Sequence, residues 1–200
     1  MSGAPETERV QRRTLLVVLA LNALLFVALG IGGLAADSSA LLANALDNGS
    51  DAVVYLISFL AIGRAAVWKR GAARVSGVML LLFAVGVLID AGRRWYVGTE
   101  PIGWTMMGLA VVAGVVNLIC LRLIQRQHSE DVNMKAAETF SFNDFASNGG
   151  ILVAGALVMW LDQAWPDLVV GVLVAAIAVK GGIDILRDAQ QARQSDGDAA

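Results

Sequence analysis

The chain has 200 residues, of which 57% are hydrophobic and only 16% charged, against roughly 25% charge in ordinary soluble domains. With a mean hydropathy of +0.66 and a formal net charge of −2, and with its basic residues in short clusters between apolar runs, it reads neither as a soluble domain nor as a nucleic-acid-binding surface. Its single cysteine, Cys120, sits in an apolar segment, which excludes a disulfide framework or a cysteine-based metal site and points to a buried structural thiol.

The amino-terminal tail, 1–13, is polar and places Arg9, Arg12 and Arg13 directly before a first apolar run at 14–36. A secretory h-region is about 7–15 residues long. This run exceeds twenty residues and further long apolar runs follow, so it predicts a first transmembrane helix rather than a signal peptide. Asp37 and two serines turn the chain into the second run, 40–66, after which Arg64, Lys69, Arg70 and Arg74 form a basic loop. The third run, 75–89, ends in Asp90, Arg93, Arg94, Trp95 and Tyr96, and Gly-Thr-Glu-Pro at 98–101 reads as a turn. The fourth run is 102–124. A polar connection at 125–133 leads to the fifth, 134–161, which polar residues around Asp144 interrupt. Pro166 and Asp167 open the sixth, which ends near 186, and 187–200 is a short polar tail. The expected fold is all-α and integral to a membrane: a six-helix transmembrane domain at 14–186 between two short tails.

Cytoplasmic loops are enriched in Lys and Arg. The amino tail, the second-to-third loop, the fourth-to-fifth connection (Arg122, Arg126, Lys135) and the carboxyl end (Lys180, Arg187, Arg193) are basic, whereas the other connections hold Asp37, Glu100, Asp162 and Asp167. Both termini are therefore expected in the cytoplasm, with the protein multi-pass in a plasma (inner) membrane. Arg93 and Arg94 argue the other way locally. Trp95, Tyr96, Trp104, Trp160 and Trp165 all fall on the outer side, where an interfacial aromatic belt is expected.

The second run contains Asn-Ala-Leu-Asp-Asn-Gly-Ser-Asp at 44–51. Asp47 and Asp51 are four apart, so a helix stacks them on one face with Asn44. An ionisable residue in hydrocarbon costs about 2.5–3.5 kcal/mol on insertion scales, which calls for a partner, a cavity or a cation. On the fifth helix Asp144, Asn148, Ser141 and Asn133 share a second stripe, while Glu138 and Asn143 point elsewhere by spacing. The second helix enters from outside and the fifth from inside, so helical rise brings Asp47, Asp51 and Asp144 toward the midplane of a hydrocarbon core of about 30 Å. Facing stripes offer carboxylate, amide and hydroxyl oxygens to a hard or borderline divalent cation. Protons compete for the same oxygens, which is the physical basis of an antiporter.

Other polar residues have simpler readings. Asn22, Asn117 and Ser58 suit hydrogen bonds across helix interfaces. Lys180 and Asp184, four apart, suit an ion pair or a snorkelling lysine. His128 reads as solvated, Met106 and Met107 as core, and the pairs Gly149-Gly150 and Gly181-Gly182 as close helix packing.

The stretch Ser-Ala-Leu-Leu-Ala-Asn-Ala-Leu-Asp-Asn-Gly-Ser-Asp at 39–51 resembles the second transmembrane helix of cation diffusion facilitators, in which a His or Asp and an Asp four later bind the transported metal. The stretch from Asn133 through Phe140 and Asp144 to Gly149 is similar to that family's fifth helix, and Trp165-Pro166-Asp167 to the opening of its sixth. The resemblance covers the six-helix region and implies Asp47, Asp51 and Asp144 as metal ligands. Phe140 stands where the family has a further His or Asp, and Asn44 replaces a common Asp. A tetrahedral site thus needs a substitute, for which Asn44, Asn48, Asn143, Asn148 or water are candidates. The loop before the fifth helix lacks a histidine-rich run, and only a short tail stands where the family usually has a cytoplasmic domain. Any homodimer is then expected to form through the membrane helices.

The expected activity is export of a divalent cation (zinc, manganese, iron or cobalt) by proton exchange at a midplane carboxylate site, the cation being cargo and no resident cofactor being implied. The alternative is a non-transporting relative that assembles with another membrane protein, which Phe140 favours. No nucleophile and base for an intramembrane enzyme are evident.

Overall fold

The computed structural model describes residues 4–61, 66–126 and 132–197. They form six helices and no strand: α1 (Ala4–Ala35), α2 (Ser39–Ala61), α3 (Ala66–Val97), α4 (Gly103–Gln125), α5 (Val132–Leu161) and α6 (Trp165–Gly197). Every apolar run of the sequence corresponds to one of them. The helices overrun those apolar stretches at several ends. α1 begins inside the polar tail, α6 continues through 187–197, and α3 extends past Ile89 because Asp90 pairs with Arg93 and Arg94 on the following turn.

The chain is an integral membrane bundle. Segments of α1 (Arg12–Ala35), α4 (Gly103–Gln125) and α6 (Trp165–Arg187) are each long and apolar enough to cross a bilayer unaided. In α5 the uninterrupted apolar part is the shorter Ser147–Leu161, and α2 carries the two internal aspartates. Those helices need neighbours to shelter their polar groups. Large apolar side chains such as Leu24, Leu34, Leu82 and Ile89 face outward, as lipid contact demands.

α1 packs on α2, α4 on α5, and α3 on α6, with α2 also touching α3, α5 and α6. One apolar core joins α1, α2, α4 and α5 around Leu29, Leu41, Met106 and Ile151. A second joins α2 to α3 and α6 through Ala43, Val87 and Val174. The α3–α6 crossing is close. A β-carbon on Gly182 would stand 2.9 Å from Leu81 Cγ and 3.2 Å from the Gly77 carbonyl oxygen, so small residues set the approach. The expectation of close packing holds for Gly182 but not for Gly149, which has open space beside it.

The connections α1–α2, α3–α4 and α5–α6 lie at one end of the bundle. Trp95, Tyr96, Trp104, Trp160 and Trp165 are exposed around that end, as an aromatic belt requires. Residues 98–102 connect α3 to α4 as an irregular segment, with Gly98 at φ 93°.

Candidate metal centre

α2 is the element that places the site. Its buried face carries Asn44, Asn48, Asp51 and Tyr55, spaced so that all four stand on one stripe. Asp47 and Ser50 flank that stripe and are half-buried. Opposite, α5 contributes Asp144 and Asn148, 3% and 2% exposed.

The three sequence-predicted acids meet. Asp47, Asp51 and Asp144 line one cavity of about 280 Å³ together with Leu80 of α3 and Ile177, Ala178, Lys180, Gly181 and Asp184 of α6. The Asp144 carboxyl engages those of both Asp47 and Asp51. Asp51 Oδ2 is buried with no hydrogen-bond partner. A buried oxygen left without a donor costs free energy, about 1–3 kcal/mol and more when charged, and a cation or proton relieves it. Even so, among the described residues no three His, Cys, Asp or Glu side chains are arranged to close on a metal ion.

The amide candidates separate into different roles. Asn44 Nδ2 donates to Asn148 Oδ1 at 2.8 Å, joining α2 to α5. Asn148 Nδ2 donates to the Asp144 carbonyl oxygen at 2.8 Å. Asn48 Nδ2 donates to the Asn44 carbonyl oxygen at 2.9 Å. Asn44 and Asn148 are therefore occupied as an interhelical clasp, whereas Asn48 Oδ1 is buried without a partner and is the amide with a free acceptor. The side chains of Phe140, Ser141 and Asn143 lie outside the described residues, as does His128.

Asn22 bridges helices as expected, donating to the Val18 carbonyl oxygen at 2.9 Å and reaching Cys120 Sγ at 3.9 Å. Asn117 is wholly buried, but neither its nitrogen nor its oxygen has a partner. Cys120 is a buried free thiol.

Sequence reasoning missed how α2 is held. Asp167, at the start of α6 and wholly buried, caps α2 across the bundle. Its Oδ1 accepts from Ser38 Oγ at 2.5 Å and from the Ala40 N–H at 3.1 Å, and its Oδ2 accepts from the Ser39 N–H at 2.7 Å. Orphan donors at a helix start need such an acceptor, usually a local one. Gly171 allows the approach, since a β-carbon there would stand 2.9 Å from the Ser39 carbonyl carbon.

Arg94, 6% exposed, makes the second tie. Its Nε donates to Asp90 Oδ2 at 2.5 Å, and its Nη1 donates to the Asp37 carbonyl oxygen at 2.8 Å and bonds the Asp37 carboxylate. Thr99 Oγ1 and the Glu100 N–H donate to the same carboxylate at 2.7 and 3.1 Å. Burial pushes the Asp37 carboxyl up, but Thr99, Glu100 and Arg94 outweigh it and hold the group below its ordinary value. Arg94 is thus a neutralised structural charge, tied to Asp37 and Asp90.

A family model described as the cation efflux transmembrane domain matches residues 15–192. The chain is 26% identical over 174 residues to the metal cation efflux system protein CzcD of Cupriavidus metallidurans, covering 81% of this chain and 55% of that protein. It is 24% identical over 200 residues to the zinc transporter ZitB of Escherichia coli, covering 94% and 63%. It is 21% identical over 200 residues to the cadmium, cobalt and zinc/H(+)-K(+) antiporter of Bacillus subtilis, covering 93% and 64%. The chain thus spans about 55–64% of the length of these relatives.

Proposed function

The chain belongs to the cation efflux family, and from that premise we propose that it carries a divalent metal cation out of the cytoplasm, with Asp47, Asp51 and Asp144 as the ligands. The observation that carries this reading is the meeting of carboxyl groups from α2 and α5 in one cavity inside the bundle, with Asp51 Oδ2 unpaired. Buried carboxyls without a compensating charge are costly in a membrane, so they favour whatever cation reaches them. Oxygen donors suit zinc, manganese, iron(II) and cobalt, with Asn48 Oδ1 or water completing the shell. Metal and proton take the same oxygens, so entry of one expels the other, and exchange against protons follows. Both termini face the cytoplasm in this reading, and the end that carries the aromatic belt faces outward across a bacterial inner membrane.

A second reading is a family relative that does not transport and serves as a membrane assembly partner. It is favoured by the lack, among the described residues, of three acids arranged to close on a metal, and by Phe140 in the fifth-helix ligand position.

A metal-sensitive host separates the two. Cells expressing the parent are expected to tolerate more zinc, manganese, cobalt or iron than cells expressing Asp51→Ala or Asp144→Ala at equal membrane abundance. Equal protection by the variants would remove the carrier reading.

A further inference from the structure

Lys180 and Asp184 stand one turn apart on α6, a spacing that ordinarily yields an ion pair. No ion pair joins them, unlike Arg93–Asp90, Arg94–Asp90 and Arg94–Asp37. Instead, both side chains line the cavity that holds Asp47, Asp51 and Asp144. That cavity therefore contains four carboxyls and one ammonium that is committed to none of them.

Their placement along the bundle orders these groups. At 1.5 Å per residue, Asp47 and Asp51 lie about 12 and 18 Å from the start of α2, whereas Lys180 and Asp184 lie about 22 and 28 Å from the start of α6 at the same end. By the same rise Asp144 lies about 26 Å from the α5 terminus at that end, so the lysine stands between the two acids of α2 and the level shared by Asp144 and Asp184, of which only Asp184 is exposed. Lys180 is exposed while Asp51 is 4% exposed, with Oδ2 unpartnered. A lysine head is a compact charge on a flexible four-carbon stem, able to move between acids above and below it.

Resting on the carrier reading, we propose that Lys180 is a tethered cation: it neutralises the carboxyl cavity when no metal is present and withdraws toward Asp184 when a divalent cation enters. Three carboxyls in a low-dielectric interior need a positive charge, and a monovalent one on a leash meets that need without filling the ligand positions. When a divalent ion arrives, like-charge repulsion drives the ammonium outward, where Asp184 receives it. Lys180 then weakens metal binding and hastens release, which a carrier requires.

The test is isothermal titration of Zn²⁺ and, in parallel, Mn²⁺ into the purified full chain in detergent, for the parent, Lys180→Gln, Lys180→Arg and Asp51→Asn. Lys180→Gln is expected to bind about three- to tenfold more tightly than the parent, the effect of one unit charge across partly hydrated protein. That gain shrinks as salt is raised, and Lys180→Arg, which keeps the charge, stays within about twofold of the parent. In proteoliposomes Lys180→Gln lowers both KM and kcat, a combination that loosened packing does not produce. Equal or weaker binding by Lys180→Gln, with binding abolished in Asp51→Asn, overturns the tethered cation and leaves the carrier reading standing. A parent that binds neither metal overturns both.

Discussion

Aspartates do opposite work at the two levels of this bundle. At the connected end, Asp37 and Asp167 are saturated: each accepts several hydrogen bonds, from Thr99, Glu100 and Arg94 or from Ser38, Ser39 and Ala40. In the cavity, Asp51 Oδ2 has no partner, and Asp144 faces other carboxyls. A saturated carboxylate spends its acceptor capacity on fixing helices. An unsaturated one keeps that capacity for a mobile cation. The contrast has a mechanical side, because Asp167 ties α6 to α2 and Arg94 ties α3 to the α1–α2 connection. The α3–α6 pair is thereby fastened to α2 at the connected end, while the cavity separates α6 from the acids of α2 and α5 further along.

If that division is real, substitutions at the two levels fail differently. The largest effect is expected for Asp144→Asn, which removes the carboxyl that engages both others: metal uptake falls by more than about 100-fold, since even outer-shell losses cost 10–100-fold, while the unfolding temperature in detergent stays at or above the parent's. Asp167→Ala strands two backbone donors and a hydroxyl, at a cost of about 3 kcal/mol from loss of charge-assisted capping bonds. Thermal unfolding in detergent checks this, and a shift no larger than that of a surface substitution would break the comparison. The smallest effect concerns Asp37. A carboxyl held below its unfolded value contributes its full stability above about pH 3.9 and loses it as pH falls through the lower, folded value. Unfolding temperatures measured from pH 6 down to pH 3 should therefore decline less steeply for Asp37→Asn than for the parent, and identical slopes would show that the network does not depend on that charge.

The internal acids were visible in the sequence because a charge within an apolar run of membrane length is anomalous by itself, and i,i+4 spacing assigns a face without any knowledge of the neighbour. The helices were visible for the same reason, each being a local pattern. What stayed hidden depends on partners far away in the chain. Asp167 reads as an ordinary acid at a helix start, yet its donors belong to Ser38, Ser39 and Ala40 on another helix. Arg94 reads as a contrary topological signal until Asp37 is seen beside it. For Lys180 and Asp184 the i,i+4 spacing permits a pair without requiring one, and of the two readings it offered the ion pair is the one that is not formed. Asn44 and Asn148 looked like spare ligands, and only the contact between them shows that they hold each other.

The central claim is that the cavity acids bind the cargo while the acids of the connected end hold the helices. Its most direct test is divalent-metal uptake into proteoliposomes against an opposing proton gradient, with parent, Asp51→Asn and Asp167→Asn reconstituted side by side. The expected result is uptake by the parent, none by Asp51→Asn although it remains folded, and retained uptake per folded molecule by Asp167→Asn despite its lower unfolding temperature. Parental uptake by Asp51→Asn would contradict the account.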